Sequence, residues 1–123
     1  MSNYISLIDE TIERNINKYL KDLDIYEEIY SNENVIEVSI NPDRAIHVNE
    51  VGKGIIKKEG RSDNEKLLNL LKILATLENK ELTDKNPMIS IQLILTGGKK
   101  VAVVGLIPPV VENLCISIRK IAQ

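Results

Sequence analysis

Apolar residues recur along this chain at two different spacings, and the spacing changes from one segment to the next. Between Asn3 and Leu23 they follow one another at steps of three and four residues, which is the spacing of one helix face. In the segments 35–40, 88–96 and 114–120, apolar and polar residues alternate at the two-residue period of a strand. Helices and strands of this kind bury their apolar surfaces against each other, so the pattern predicts an α+β fold.

The first half of the chain predicts a helix followed by a three-stranded meander. The helix is expected over 3–23, with a further helical turn over 25–30. Strands are expected over 35–40, 45–51 and 55–58. The segment 41–44 has Asn first and Pro second, which suits a type I β-turn between the first two strands.

The second half predicts a capped helix and then a hairpin. Ser62 and Glu65 have the spacing of a capping box, so a helix should begin there. Its apolar residues between 67 and 77 cover more than one face, which predicts burial by the sheet and by a second element. Two glycines at 97–98 mark the hairpin turn, and 114–120 is the last strand. We therefore expect a mostly antiparallel sheet of about six strands with two main helices.

The length, charge and composition of the chain limit the kinds of protein that it can be. A chain of 123 residues suits one domain, so residues 1–123 are expected to share one core. The formal net charge is −2 and Tyr is the only aromatic residue type, so we expect no direct nucleic-acid binding. No segment approaches the roughly 20 apolar residues of a membrane span, and Met1 is not followed by a secretion signal, so a cytoplasmic location is expected.

The residue types that carry catalysis or bind metals are sparse. None of the glycines begins the Gly-x-x-x-x-Gly-Lys-Ser/Thr pattern that cradles phosphates, so we expect no catalytic residues in this chain. His47 is the one histidine and lies in a predicted strand, so no metal site is expected either. Cys115 is interpreted as an unpaired buried thiol. Arg119 is either an ordinary surface cation or, on a rigid strand, a group that grips phosphate with two hydrogen bonds.

The order of these segments resembles the N-terminal domain of the type IV secretion traffic ATPases, the VirB-eleven, TrbB and PilT-like secretion ATPases. The family's strand, turn, strand and Gly corner match VIEVSINPDRAIHVNEVGKG, and its capped helix, Asn-Pro loop and hairpin match SDNEKLLNLLKILATLENKELTDKNPMISIQLILTGGKKVAVV. The closing corner and strand match Pro108-Pro109-Val110 and Ile116-Ser117-Ile118-Arg119. The resemblance covers nearly the whole chain.

The resemblance implies a role in a hexameric motor for protein transport or conjugation. It implies that Arg119 contacts the nucleotide phosphates, and that Lys100 stands where the family has a second Arg, without that residue's bidentate fork. The C-terminal RecA-like P-loop domain is absent from 1–123, so the chain alone should need no cofactor, and ATP and Mg are implied for a full-length protein. The implied partners are that domain, neighbouring subunits of a homohexamer and inner-membrane secretion machinery.

Two other interpretations remain open. The chain could be a free-standing adaptor or regulator of a secretion ATPase, without a motor domain of its own. It could also be a small enzyme in its own right, which the missing catalytic groups disfavour.

Overall fold

The computed structural model describes residues 4–6, 9–109 and 111–121. Within these residues, three helices and seven strands follow one another. They are β1 (Tyr4–Ser6), α1 (Glu10–Asp22), α2 (Tyr26–Tyr30), β2 (Val35–Ile40), β3 (Ile46–Glu50), β4 (Gly54–Lys57), α3 (Asn64–Leu77), β5 (Met88–Leu95), β6 (Lys99–Leu106) and β7 (Cys115–Lys120). A 3-10 turn (Thr96–Gly98) joins β5 to β6. The predicted α+β class, the meander and the hairpin are confirmed.

All seven strands form one sheet in the order β1-β5-β6-β7-β2-β3-β4. Every neighbouring pair is antiparallel except β1 and β5, which run parallel. The last strand, β7, lies between β6 and β2 and so joins the hairpin of the second half to the meander of the first. Because β6 and β7 are antiparallel, the beginning of β6 lies beside the end of β7.

The helices cover one face of the sheet. The buried residues of α1 and α3 share a single apolar core with the alternate residues of the strands. The helix α3 packs against both α1 and β5, so the second covered face that its sequence predicts is provided by α1. No helix in the described ranges is long and apolar enough to cross a membrane.

Gly105 sets how closely α3 approaches the sheet. It lies on the core-facing side of β6, and a Cβ atom there would overlap the side chain of Leu71 on α3. Leu71 is fully buried, so it has little room to move aside. The absence of a side chain at residue 105 therefore lets the helix rest directly on the strand.

The beginning of the chain differs from the predicted helix over 3–23. Residues Tyr4–Ser6 form the edge strand β1, and α1 begins only at Glu10. Asp9 caps this helix, because its carboxylate accepts hydrogen bonds from the amides of Thr11 (2.9 Å) and Ile12 (3.2 Å). Asn3 and Ile8, which belonged to the expected helix, lie outside the described residues. The extra strand raises the sheet from about six strands to seven.

The cap of α3 is also shifted by one residue from the prediction. Asp63 is the N-cap, and its carboxylate accepts from the amides of Glu65 (2.9 Å) and Lys66 (3.3 Å). Ser62, the predicted cap, is buried and its hydroxyl has no hydrogen-bond partner among the described residues. Asp and Ser are equally good caps, so sequence spacing alone does not choose between adjacent candidates.

Candidate functional site

Four basic residues converge where the beginning of β6 meets the end of β7. Lys99 and Lys100 begin β6, and Arg119 and Lys120 end β7. Arg119 lies opposite Ala102, and Lys120 lies opposite Val101. We call these four residues the basic cluster. Lys99 and Lys120 lie on the face of the buried Val101, whereas Lys100 and Arg119 lie on the other face. The cluster therefore raises the positive potential at this end of the sheet, which attracts anions.

Arg119 lies on the face of the sheet that the helices leave uncovered. Its neighbours Ile118 and Ile116 are buried on the other face, whereas Arg119 itself is exposed, as the alternation predicts. Glu37 of β2 lies directly opposite Arg119, but its carboxylate accepts a hydrogen bond from the Ser117 hydroxyl at 2.8 Å. Within the described part of the chain, the Arg119 guanidinium forms no ion pair or side-chain hydrogen bond, so all five of its donors remain open to a ligand.

Lys100 lies on the same uncovered face as Arg119, two residues away in register. Its ammonium is held 5.2 Å from the centroid of the Tyr4 ring, in the range of a cation–π contact. Tyr4 belongs to β1, which lies on the far side of β5 from β7. The ammonium of Lys100 therefore leans away from the strand that carries Arg119.

A cleft of about 410 Å³ lies at this end of the sheet. Lys99, Lys100 and Lys120 line it together with Glu33 and four further residues, whereas Arg119 lies outside the lining. The Lys120 ammonium donates to the carbonyl of Asn32 at 2.8 Å. Burial, and then the charge of Lys99, lower the pKa of Lys120, which indicates that positive charge is crowded here. The cleft can therefore take an anion that shares the charge of three lysines.

The sequence predicted Arg119 and Lys100 as site residues, which stays a prediction, and it did not point to Lys99 or Lys120. The signal was present in two basic pairs, Lys-Lys at 99–100 and Arg-Lys at 119–120. One pair precedes an alternating segment and the other ends one. They come together only if those two segments are antiparallel neighbours, and this pairing is a property of the sheet rather than of either segment.

Two other sequence candidates lie elsewhere on the uncovered face. His47 on β3 shares a hydrogen bond of 3.0 Å between its Nδ1 and the side-chain nitrogen of Asn41. Cys115 is unpaired, but it is half-buried rather than buried as expected, because its strand turns this residue away from the core. Burial still raises the pKa of its thiol, which disfavours the reactive thiolate at neutral pH.

The fold is similar to a solved structure of a secretion ATPase. The crystal structure of the VirB11 ATPase from the Brucella suis type IV secretion system, in complex with sulphate, superposes with a TM-score of 0.68 and 19% sequence identity. The match covers 91% of this chain and 32% of the Brucella chain, so the described fold corresponds to about a third of that protein. No protein-family model matches the chain, and no curated protein matches it in sequence.

This likeness establishes a shared fold. It agrees with the resemblance that the order of the sequence segments indicates. Val110 of the Pro-Pro-Val corner lies outside the described residues, whereas the Ile-Ser-Ile-Arg segment forms most of β7. At 19% identity the likeness assigns no role to any residue, so the function of the basic cluster rests on its own geometry.

Proposed function

We propose that this chain is the N-terminal domain of a hexameric type IV secretion ATPase, in which it helps to assemble the ring and completes the nucleotide site. The observation that carries the proposal is Arg119, an unpaired and exposed guanidinium on the central strand β7. The fold that this chain shares with the Brucella VirB11 ATPase supports the same proposal.

The chemistry of the basic cluster fits the phosphate end of a nucleotide. The strand fixes the backbone of Arg119, and the planar guanidinium can donate two parallel hydrogen bonds to a phosphoryl group. The lysines around the cleft supply further charge without fixing direction. The Brucella protein was crystallised with sulphate, an oxyanion of similar size and geometry to phosphate. In our proposal, Arg119 binds the terminal phosphate region and so stabilises the charge there.

Lys100 has a weaker part in this proposal than Arg119. Its ammonium is a single point charge that is already placed over the ring of Tyr4. It can raise the local potential, but it cannot replace a bidentate contact. We therefore expect Lys100 to contribute to anion affinity and Arg119 to contribute most of the geometry.

The remaining parts of the motor would come from elsewhere. We propose that a separate RecA-like P-loop domain holds most of the ATP and its Mg²⁺, and that this chain alone does not hydrolyse ATP. Neighbouring subunits of the homohexamer and inner-membrane secretion proteins would be its partners. The domain would then work in the cytoplasm, at the inner membrane, through those partners.

Phosphate binding to the isolated chain tests the role of the basic cluster. Inorganic phosphate and ATP are titrated into the ¹⁵N-labelled chain, and the expected amide shifts are centred on Lys99, Lys100 and Arg119. Arg119→Ala should weaken ATP binding about tenfold or more, because a charge-assisted hydrogen bond contributes about 1.5–3 kcal/mol. Arg14→Ala is the matched control. Arg14 is exposed on α1, which lies on the helix-covered face of the sheet, whereas Arg119 lies on the uncovered face.

Turnover provides the second test. In a polypeptide that joins this chain to a P-loop domain, Arg119→Ala should lower ATP hydrolysis without lowering the melting temperature of the N-terminal domain. Equal turnover in wild type, Arg119→Ala and Arg14→Ala would remove Arg119 from the nucleotide site. Hydrolysis by the 123-residue chain alone would instead favour the small-enzyme interpretation.

A further inference from the structure

The edge strand β4 is exposed to solvent along its whole length. Every residue from 51 to 57 is exposed, and the strand lies at the end of the sheet with β3 on one side only. Three of these residues are large and apolar: Ile55 is 72% exposed, Val51 64% and Ile56 41%. Proteins usually shorten, cover or bend such an edge, since it is a ready template for another strand.

The backbone of β4 has hydrogen-bonding groups that point away from the sheet. The amide of Lys58 donates to the carbonyl of Ile46 on β3 at 2.8 Å. In an antiparallel pair, alternate residues bond to the partner strand, so the backbone groups of Ile55 and Lys57 face outward. Within the described part of the chain, β4 has no strand neighbour on that side, so these outward groups face no other strand. The edge therefore offers the backbone N–H and C=O groups of Ile55 and Lys57 to an incoming strand.

The strand is held firmly from the helix side of the sheet. The Lys58 ammonium forms ion pairs with Glu28 at 2.9 Å and Asp24 at 3.3 Å, both at the junction of α1 and α2. Lys58 and Glu28 keep only 21% and 19% of their side-chain surface exposed. An anchored edge strand can accept a partner with little ordering of its own, which lowers the entropic cost of binding.

The charge around β4 selects the kind of partner. The segment 51–61 carries four basic residues and one acidic residue, in a chain whose formal net charge is −2. Two copies of β4 paired with each other would bring Lys57 of both copies onto one face of the joined sheet, and like charges across strands are destabilising. A strand in which acidic and apolar residues alternate would instead place a carboxylate beside Lys57 on one face and an apolar side chain over Ile56 on the other.

We propose that the free edge of β4 binds an extended segment of a partner protein in which acidic and apolar residues alternate. The segment adds an eighth strand to the sheet through the backbone groups of Ile55 and Lys57. Its carboxylates lie beside Lys57 on the uncovered face, and its apolar side chains lie on the other face, where they cover Ile56. Main-chain hydrogen bonds supply the affinity in this mode of recognition, and alternate side chains supply the specificity. This surface is at the opposite end of the strand order from β1 and is separated from the basic cluster by β2 and β3.

The probe is an acetylated and amidated peptide of four Glu-Val repeats, with a Lys-Val peptide of the same length as the charge control. Binding to the ¹⁵N-labelled chain should shift the amides of Ile55 and Lys57 and protect them from hydrogen exchange. The Lys-Val peptide should bind about tenfold more weakly, and salt should weaken only the Glu-Val complex.

Three variants separate backbone recognition from side-chain recognition. Ile55→Pro removes the outward amide without removing a bond to β3, so it should weaken Glu-Val binding about tenfold or more. Ile55→Thr keeps that amide and the strand propensity, so it should weaken Glu-Val binding less than Ile55→Pro does. Lys57→Glu leaves the backbone intact and should reverse the preference between the two peptides, which keeps the test valid even if the Pro variant unfolds.

Three results would overturn the proposal. One is equal binding by Ile55→Pro, Ile55→Thr and wild type. Another is protection of amides on β1 or the basic cluster instead of β4. The third is a concentration-dependent dimer in light scattering that is abolished by Ile55→Pro, because this would show that the edge pairs with a second copy of the chain.

Discussion

Replacing Gly105 with Ala should destabilise the fold by a predictable amount. The new Cβ would overlap the Leu71 side chain and would approach the Ile89 Cγ2 atom to 3.1 Å. Both of these neighbours are fully buried, so the contact cannot be relieved by turning a side chain into solvent. Either α3 must lift away from β6 or Leu71 must leave its preferred rotamer.

The magnitude follows from two opposing effects. Extra atoms in a well-packed core cost about 1–3 kcal/mol. Ala has less freedom than Gly in the unfolded chain, which offsets about 0.4–1 kcal/mol of that cost. The expected net loss is therefore about 1–2 kcal/mol in the free energy of unfolding. At roughly 2.1 cal/mol/K per residue, a chain of 123 residues melts about 4 °C lower for each kcal/mol, so the melting temperature should fall by about 4–8 °C.

Urea unfolding and thermal melting of four proteins measure this effect: wild type, Gly105→Ala, Leu71→Ala and the double variant. Leu71→Ala alone should cost about 2–5 kcal/mol, because it leaves a cavity. In that background the Cβ at residue 105 has space, so Gly105→Ala should become neutral or stabilising. If Gly105→Ala costs the same with and without the Leu71 side chain, the close approach of helix and strand is not its cause.

Two further predictions concern stability. Asp63→Ala should lower the free energy of unfolding by about 1 kcal/mol, because two α3 amides lose their acceptor. Ser62→Ala should be neutral or slightly stabilising, because the Ser62 hydroxyl is buried without a partner among the described residues. If urea unfolding shows the larger loss for Ser62→Ala, Ser62 and not Asp63 is the N-cap. Burial alone would lower the pKa of Lys58, but Glu28 and then Asp24 outweigh it and raise that pKa above its ordinary value. The stabilisation from Lys58 is therefore fully present below about pH 10.4 and is lost as the pH rises through the raised pKa. The stability difference between wild type and Lys58→Met should shrink over that alkaline range, and a difference that persists unchanged there would show that the ion pairs are not its source.

Much of the fold follows from short-range patterns. The alternation of apolar and polar residues in 36–40 and 114–120 identifies β2 and β7 as strands. It does not predict the register shift between Val35 and Glu37, which buries Val35 and leaves Ile36 exposed. The apolar residues of α3 likewise predict a helix with two covered faces. Arg119 could be selected in advance, since its strand could be identified and its alternation turns it away from the buried Ile116 and Ile118.

Other features were decided by contacts between distant parts of the chain. The segment Tyr4–Ser6 is too short to show a period, and it becomes a strand because β5, more than 80 residues later, offers an edge. The basic cluster exists only because β6 and β7 run antiparallel as neighbours. A local sequence determines which face of a segment is apolar, but the partner that covers this face depends on how all segments pack together. The sequence therefore determined most of the helices and strands and the face on which Arg119 lies. The strand β1, the position of Lys99 and Lys120 near Arg119, and the free edge of β4 depend on the tertiary structure.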